Sequence, residues 1–358
     1  MSKQETRVIS VSRREDLPAL AEAARVIREG GLVAFPTETV YGLGANALDP
    51  QAVRKIFAAK GRPGDNPLIV HIAREEELDR LVTRVPARAR PLVAKFWPGP
   101  LTLILPKQGH IPAETTAGLP TVAVRMPAHP VALALIDMAG VPIAAPSANL
   151  SGRPSPTTAQ HVLADLAGRV DLIIDAGRTA VGLESTVVDV TVEPPVLLRP
   201  GGITREELEE YLPDLRVDSG VGGFPPKEDF RPRSPGMKYT HYAPEAQVVV
   251  VEGSVLAVQE KIRALTRSYR EQGLRVGILA TRETAAAYGD GEVLIVGGRE
   301  EPASVAANLF ACFRRFDALG VDIILAEGFE AVGLGLAIMN RLRKAAGYQI
   351  IKAGEGQQ

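Results

Sequence analysis

The residues richest in chemistry open at position 36. Pro36-Thr-Glu-Thr-Val-Tyr-Gly-Leu-Gly44 places two hydroxyls, a carboxylate, a phenol and two glycines directly behind an apolar run. Such a segment is either a polar strand-to-helix turn or a loop whose side chains reach a small polar ligand. Lys60-Gly-Arg62-Pro-Gly-Asp-Asn66 follows. Lysine brings a point charge and arginine a planar fork, a pairing suited to phosphate groups. Helix capping accounts for Lys60 at the negative end of a helix dipole and for Gly61, but not for Arg62 or for Asn66 before a proline. His71 ends the apolar stretch Leu68-Ile-Val, where a hydrogen-bonded structural histidine is the ordinary alternative. Arg125, just beyond Thr121-Val-Ala-Val124, is either a surface residue or a partner for a carboxylate.

Ala145-Pro-Ser147-Ala-Asn149-Leu-Ser151-Gly-Arg-Pro-Ser155-Pro-Thr157 is dense in hydroxyls and amides, neutral donors for phosphate oxygens, sugar hydroxyls or base edges. Its bland alternative is a Pro/Gly/Ser surface loop. Glu184-Ser185-Thr186 is weaker alone, and Arg199 in Leu198-Arg-Pro-Gly201 adds a third candidate phosphate cation. These segments converge on an anion site made of side chains and turns. With few general bases in it, the site favours positioning and neutralisation of charge, which reaction at a phosphate group mainly requires.

Other engines are missing. There is no G-x-x-x-x-G-K-[ST] loop and no G-x-G-x-x-G after the first strand. The five histidines contain no H-E-x-x-H pair, and Ser147 lacks the glycines of a nucleophile elbow.

The elements that must carry these residues alternate. Helices are expected over 17–29, Pro50–Lys60 (with Asp49 as N-cap), 130–139 and 158–166. Strands are expected over 32–36, 68–72, 101–105, 121–124, 143–145, 172–175 and 186–192. This half reads as α/β or α+β with an open mixed sheet. Residues 218–244 hold four Gly and five Pro, a linker composition. Beyond it, strands over 247–251, 275–280, 292–296 and 321–326 alternate with helices over 255–271, 302–319 and 333–346, which favours a small parallel, doubly wound domain.

The chain has 358 residues, 46% hydrophobic and 23% charged, with a net charge of −1. This is ordinary globular usage, enough for two domains without disulfide staples. A polyanion-coating protein would be more basic. The single cysteine, Cys312, rules out an internal disulfide framework. No apolar run is long enough to span a bilayer and the N-terminus carries no signal-peptide pattern, so a cytoplasmic location is expected.

Pro36–Gly44, Lys60-x-Arg62, Pro146-Ser-Ala-Asn149, Ser234-Pro-Gly-Met-Lys-Tyr-Thr-His-Tyr-Ala-Pro244 and Gly335-Leu-Ala-Ile-Met-Asn-Arg-Leu-Arg-Lys-Ala-Ala346 together resemble the Sua5/YrdC/YwlC family, in its long Sua5-type form. The resemblance covers about residues 15–205 and 234–352. It implies a YrdC-like open twisted mixed sheet over 1–217, a linker over 218–244 acting as an active-site flap, and a smaller Rossmann-like parallel α/β domain over 245–358. It implies the activity of a threonylcarbamoyl-AMP synthase, a nucleotidyltransferase that uses L-threonine, bicarbonate or carbon dioxide, and ATP with Mg²⁺. The product would pass to a separate transferase complex for the t6A modification at position 37 of tRNA.

By the same resemblance, Thr39, His71, Arg125 and Ser185 are the threonine-binding positions. Lys60, Arg62, Asn66, Thr121, Ser147, Asn149, Ser155 and Arg199 are the ATP-binding positions, with Lys60 and Arg62 also catalytic. Tyr239 and Tyr242 belong to the flap. No metal ligand from a protein side chain is expected. Thr240 departs from the family pattern, which usually has arginine there, so a phosphate contact from that position is in doubt. The alternative reading is a translation-associated protein binding double-stranded RNA or tRNA, and weak tRNA binding is compatible with either. A carbamoyl-handling enzyme of hydrogenase maturation would need zinc-finger-like cysteines that this chain lacks. A monomer is expected.

Overall fold

The computed structural model describes residues 5–222 and 242–354. Within these, residues 5–151 and 155–221 form one compact unit, and 152–154, 222 and 242–354 form a second.

The strands of the first unit are β1 (Arg7–Ser10), β2 (Val33–Phe35), β3 (Gly42–Asn46), β4 (Ile69–His71), β5 (Leu101–Pro106), β6 (Thr121–Arg125), β7 (Ile143–Ala144), β8 (Leu172–Asp175), β9 (Thr186–Asp189), β10 (Val196–Arg199) and β11 (Arg216–Val217). They join one sheet in the order β1-β8-β2-β3-β7-β4-β6-β5-β9-β10-β11. The sheet is mixed: β8 runs parallel to β1 and β2, β4 to β6, and β5 to β9, whereas β2–β3, β4–β7, β5–β6 and β9–β10 are antiparallel. Helices Leu20–Arg28 and Pro130–Ala139 lay Leu20, Ala24, Ile27, Leu135 and Ile136 over Val33, Phe35, Ile143, Leu172 and Ile174. Burying each large side chain of that layer contributes about 1.5–3 kcal/mol.

The helix Pro50–Lys60 forms as its sequence dictates. The Asp49 carboxylate accepts from the Gln51 N–H at 2.8 Å, Pro50 occupies the first position, and Gly61 ends the helix at φ 62°.

Three expectations need correction. The helix expected over 17–29 opens as a 3₁₀ turn, Arg14–Ala19, with Pro18 inside it, and becomes α-helical only at Leu20–Arg28. Proline has no N–H to give an α-helical bond there. The segment 36–44 connects strand to strand, not strand to helix: β2 and β3 are antiparallel, with Val33 opposite Gly44 and Phe35 opposite Gly42. Glycine is needed at 44, where a Cβ would lie 2.7 Å from Ile143 Cγ2 and 2.8 Å from Phe35 Cε1. The strand expected to reach 192 stops at Asp189, whose carboxylate accepts from the Thr191 N–H at 3.0 Å and hydroxyl at 2.6 Å and turns the chain.

The second unit is a sheet of β12 (Gln247–Glu252), β13 (Val276–Thr281), β14 (Glu292–Gly297), β15 (Ile323–Glu327) and β16 (Ile350–Lys352), in the order β14-β13-β15-β12-β16. Every pairing is parallel, and helices Val255–Glu271, Pro302–Leu319 and Leu334–Ala345 make the long connections. Glu327, 1% exposed, accepts from the Tyr288 hydroxyl at 2.6 Å and pairs with Arg299 at 3.0 Å. Tyr242 is buried with its ring stacked on Phe310 and the Arg341 guanidinium over it. Tyr239 and Thr240 lie outside the described residues. Among the described residues, no helix is long and apolar enough to cross a membrane.

Candidate active site

Arg125 and His71 end neighbouring parallel strands, β6 and β4, and stand opposite each other in register. Arg125 is 3% exposed. Its Nε donates to the Gly99 carbonyl at 3.2 Å and its NH1 to Thr39 Oγ1 at 2.9 Å, while NH2 lies 2.6 Å from Glu38 Oε1. Thr37 donates its only hydroxyl proton to the Val40 carbonyl at 2.6 Å. The Thr39 hydroxyl, 2.8 Å from Thr37 Oγ1, therefore donates to it and accepts from Arg125. Burial and then the Arg125 charge push the His71 imidazole down to about 3, so it is neutral at pH 7.

A second cluster gathers around Ser185. Arg199 donates to its carbonyl and its hydroxyl, and Thr102 Oγ1 lies 2.8 Å from that hydroxyl. The Ser155 hydroxyl donates to Glu184. All of these side chains are buried. Gly201 permits the approach: a Cβ there would stand 2.4 Å from both the Glu184 carbonyl oxygen and the Thr186 nitrogen. The two clusters are tied through the backbone, Val181 N–H to Glu38 O at 2.8 Å and Gly182 N–H to Thr39 O at 3.0 Å.

The third group holds the loop after β7. The buried Lys60 ammonium donates to the Ser147 carbonyl and, at 2.5 Å, to that of Asn149. Ser151 N–H returns a bond to the Lys60 carbonyl at 2.9 Å. Arg62, half-buried on the following turn, donates to the carbonyl of the fully buried Asn66 at 3.4 Å. Thr121 opens β6, four residues before Arg125 and so about 13 Å along the strand from it.

Tyr41, outside the expected site residues, joins these parts. Its N–H bonds Pro156 O at 2.9 Å and its carbonyl accepts from Ala148 N–H at 2.8 Å. Its hydroxyl donates to Gly177 O at 2.7 Å. Burial pushes the phenol well above its ordinary range, so it stays protonated. Glu38 is likewise outside the expected site residues. The one signal for both is their place inside Pro36–Gly44, since neither burial nor pairing is encoded by residue type.

The assembly offers the buried Arg125 guanidinium beside hydroxyls, suited to a small acid, and cations from two segments, Lys60 and Arg62 on one and Arg199 on the other, suited to a polyanion. Among the described residues, no group of three His, Cys, Asp or Glu side chains could hold a metal ion.

Residues 25–201 match the family profile described as "Telomere recombination", and residues 203–347 that of "Threonylcarbamoyl-AMP synthase, C-terminal domain". The threonylcarbamoyl-AMP synthase of Pyrococcus abyssi is 54% identical, the alignment covering 97% of this chain and 99% of that one. That of Bacillus subtilis is 53% identical over 94% of this chain and 95% of its own. The crystal structure of P. abyssi Sua5 complexed with L-threonine superposes with a TM-score of 0.93 at 53% identity, covering 97% of this chain and all of that one.

Proposed function

The chain belongs to the Sua5-type threonylcarbamoyl-AMP synthase family, and on that footing we infer that it makes threonylcarbamoyl-AMP and pyrophosphate from L-threonine, carbon dioxide or bicarbonate, and ATP. The observation that carries this reading is the 54% identity to a curated synthase over nearly the whole of both chains. The Arg125 cluster supports it. A guanidinium already fixed by Gly99 and Thr39 presents a rigid fork to an amino-acid carboxylate, with the neutral His71 and the Ser185 hydroxyl to complete the pocket.

In this reading Arg62 and Arg199 meet the phosphates. Lys60 does so through the Ser147–Asn149 loop that its ammonium holds, and Asn66, Thr121, Ser147, Asn149 and Ser155 complete the nucleotide site. Mg²⁺ would enter with ATP as part of the substrate and help to neutralise its phosphates. The threonine amine adds carbon dioxide, forming the carbamate and releasing a proton. A carbamate oxygen then attacks the α-phosphorus, its bond to the β-phosphate oxygen breaks, and pyrophosphate leaves with that electron pair. The enzyme's share is to align the nucleophile and to neutralise the leaving group. The adenylate then passes to the transferase complex that modifies tRNA; the flap expected over 218–244 falls mostly on residues outside those described.

The test is pyrophosphate release from ATP with L-threonine and bicarbonate each present or omitted. The reading expects release that needs both and a threonine-containing adenylate by mass spectrometry. Release without threonine, or none from the folded protein with Mg²⁺, contradicts it.

A further inference from the structure

Glu38 is a buried carboxylate with a half-made interaction. Its side chain is 12% exposed, and its Oε1 forms an ion pair with Arg125 NH2 at 2.6 Å without a hydrogen bond. Neither Glu38 oxygen nor Arg125 NH2 has a hydrogen-bonding partner. The other two guanidinium nitrogens are satisfied by Gly99 and Thr39. The backbone here is fixed, because the Glu38 and Thr39 carbonyls are both bonded by the 181–182 segment. His129 feels the Glu38 charge, but burial outweighs it and holds that imidazole below its ordinary value. His71 is neutral as well. Arg125 is thus the single full positive charge that Glu38 faces among these groups.

A buried carboxylate and a buried guanidinium, ion-paired at 2.6 Å with no hydrogen bond to the facing atoms, match a ligand that carries both opposite charges. Resting on the reading of the Arg125 cluster as an amino-acid site, we propose that Glu38 binds the α-ammonium of the substrate while Arg125 binds its carboxylate. The pair is then a clamp for the zwitterion of a free α-amino acid. A substrate carboxylate taking NH2 draws the Arg125 charge away from Glu38, and the ammonium on the same carbon replaces it. A ligand with the carboxylate alone leaves Glu38 buried against a second anion. The clamp therefore selects for a free amine as well as for a carboxylate.

Calorimetric titration of the full chain with L-threonine and with 3-hydroxybutanoate, which keeps the carboxylate and hydroxyl but lacks the amine, tests this. Wild type should bind L-threonine far more tightly. Glu38→Gln should weaken L-threonine by about ten-fold or more and leave 3-hydroxybutanoate unchanged or tighter. Glu38→Asp, which keeps the charge, should recover part of the loss and serves if the glutamine variant does not fold. Equal weakening of both ligands would make Glu38 a mere support for Arg125 and overturn the proposal. So would wild-type affinity for L-threonine in Glu38→Gln, without touching the reading beneath it. A wild type that binds another free α-amino acid but not threonine would overturn that reading and keep the clamp. One that binds no free α-amino acid would overturn both.

Discussion

Arg199 grips Ser185 twice, from Nε to the carbonyl oxygen at 2.9 Å and from NH2 to the hydroxyl at 3.0 Å. A residue assigned to the nucleotide thus holds one assigned to threonine. Ser185→Ala removes the hydroxyl bond to Arg199 and the Thr102 contact together. The Michaelis constants for L-threonine and ATP should both rise, each by about five- to ten-fold. Initial rates of pyrophosphate release at varied concentrations of each substrate check this. A rise for threonine alone would mean that the carbonyl bond suffices to place Arg199.

Arg62 lies on the turn behind the helix Pro50–Lys60, half-buried, with its guanidinium 5.8 Å over the Phe57 ring. Arg62→Ala should lower the unfolding free energy by no more than about 1 kcal/mol, the loss of its contact with Phe57. It should lower kcat/KM by about a hundred-fold, the loss expected when one charged group facing a developing anion is removed. Near-normal turnover would take Arg62 out of the phosphate site.

His71 should make stability depend on pH. Its folded value of about 3 lies below the ordinary 6.5 of an unfolded histidine. Between those values the unfolded chain binds more proton. The contribution is complete above pH 6.5 and is lost as pH falls towards 3, at up to about 1.4 kcal/mol per pH unit. Urea unfolding at pH 7 and pH 5 should show a lower free energy at pH 5. His71→Asn should flatten part of that difference, and an unchanged slope would show that other groups dominate.

Gly201→Ala should destabilise the first unit. The added methyl would press to 2.4 Å on the backbone of Glu184 and Thr186, atoms that no rotamer change can move aside. A cost of more than about 2 kcal/mol is expected, read as a lower thermal midpoint together with lost threonine binding. Full binding at normal stability would show that the 184–186 segment can yield.

The extent to which the sequence foretells this molecule varies with how local each signal is. Asp49, Pro50 and Gly61 bound their helix to the residue, because N-cap, first position and left-handed stop are all set within one segment. Helices Val255–Glu271 and Pro302–Leu319 each carry part of that signal, the first a Ser254 N-cap and the second Pro302 at its first position with Gly320 as a left-handed stop. β3 is not legible, since Gly42 and Gly44 have poor strand propensity and are chosen for the closeness of Phe35, Ala145 and Ile143. β1 and β16 are short strands that exist only through partners far along the chain. Thr39, Arg125, Ser185 and Arg199 are legible as types worth attention. That Thr39 touches Arg125, and that Glu38 stands across from it, follows from three strands and two loops meeting.

The pairing of β1 with β8 also sets a schedule. Thr6 donates to the Val170 carbonyl across 164 residues, and β2, which leads into the Thr37–Thr39 loop, leans on β8 as well. Contacts so distant are closed late, after the entropy of a long loop has been overcome. At ordinary synthesis speeds the ribosome needs roughly 10–30 s to go from one side of that bond to the other. Through that interval the apolar face of β2 and of the helix Leu20–Arg28 is without its β8 neighbour. The nascent first unit is therefore a candidate for chaperone protection, and its candidate site is complete only once Ser185 and Arg199 have emerged as well.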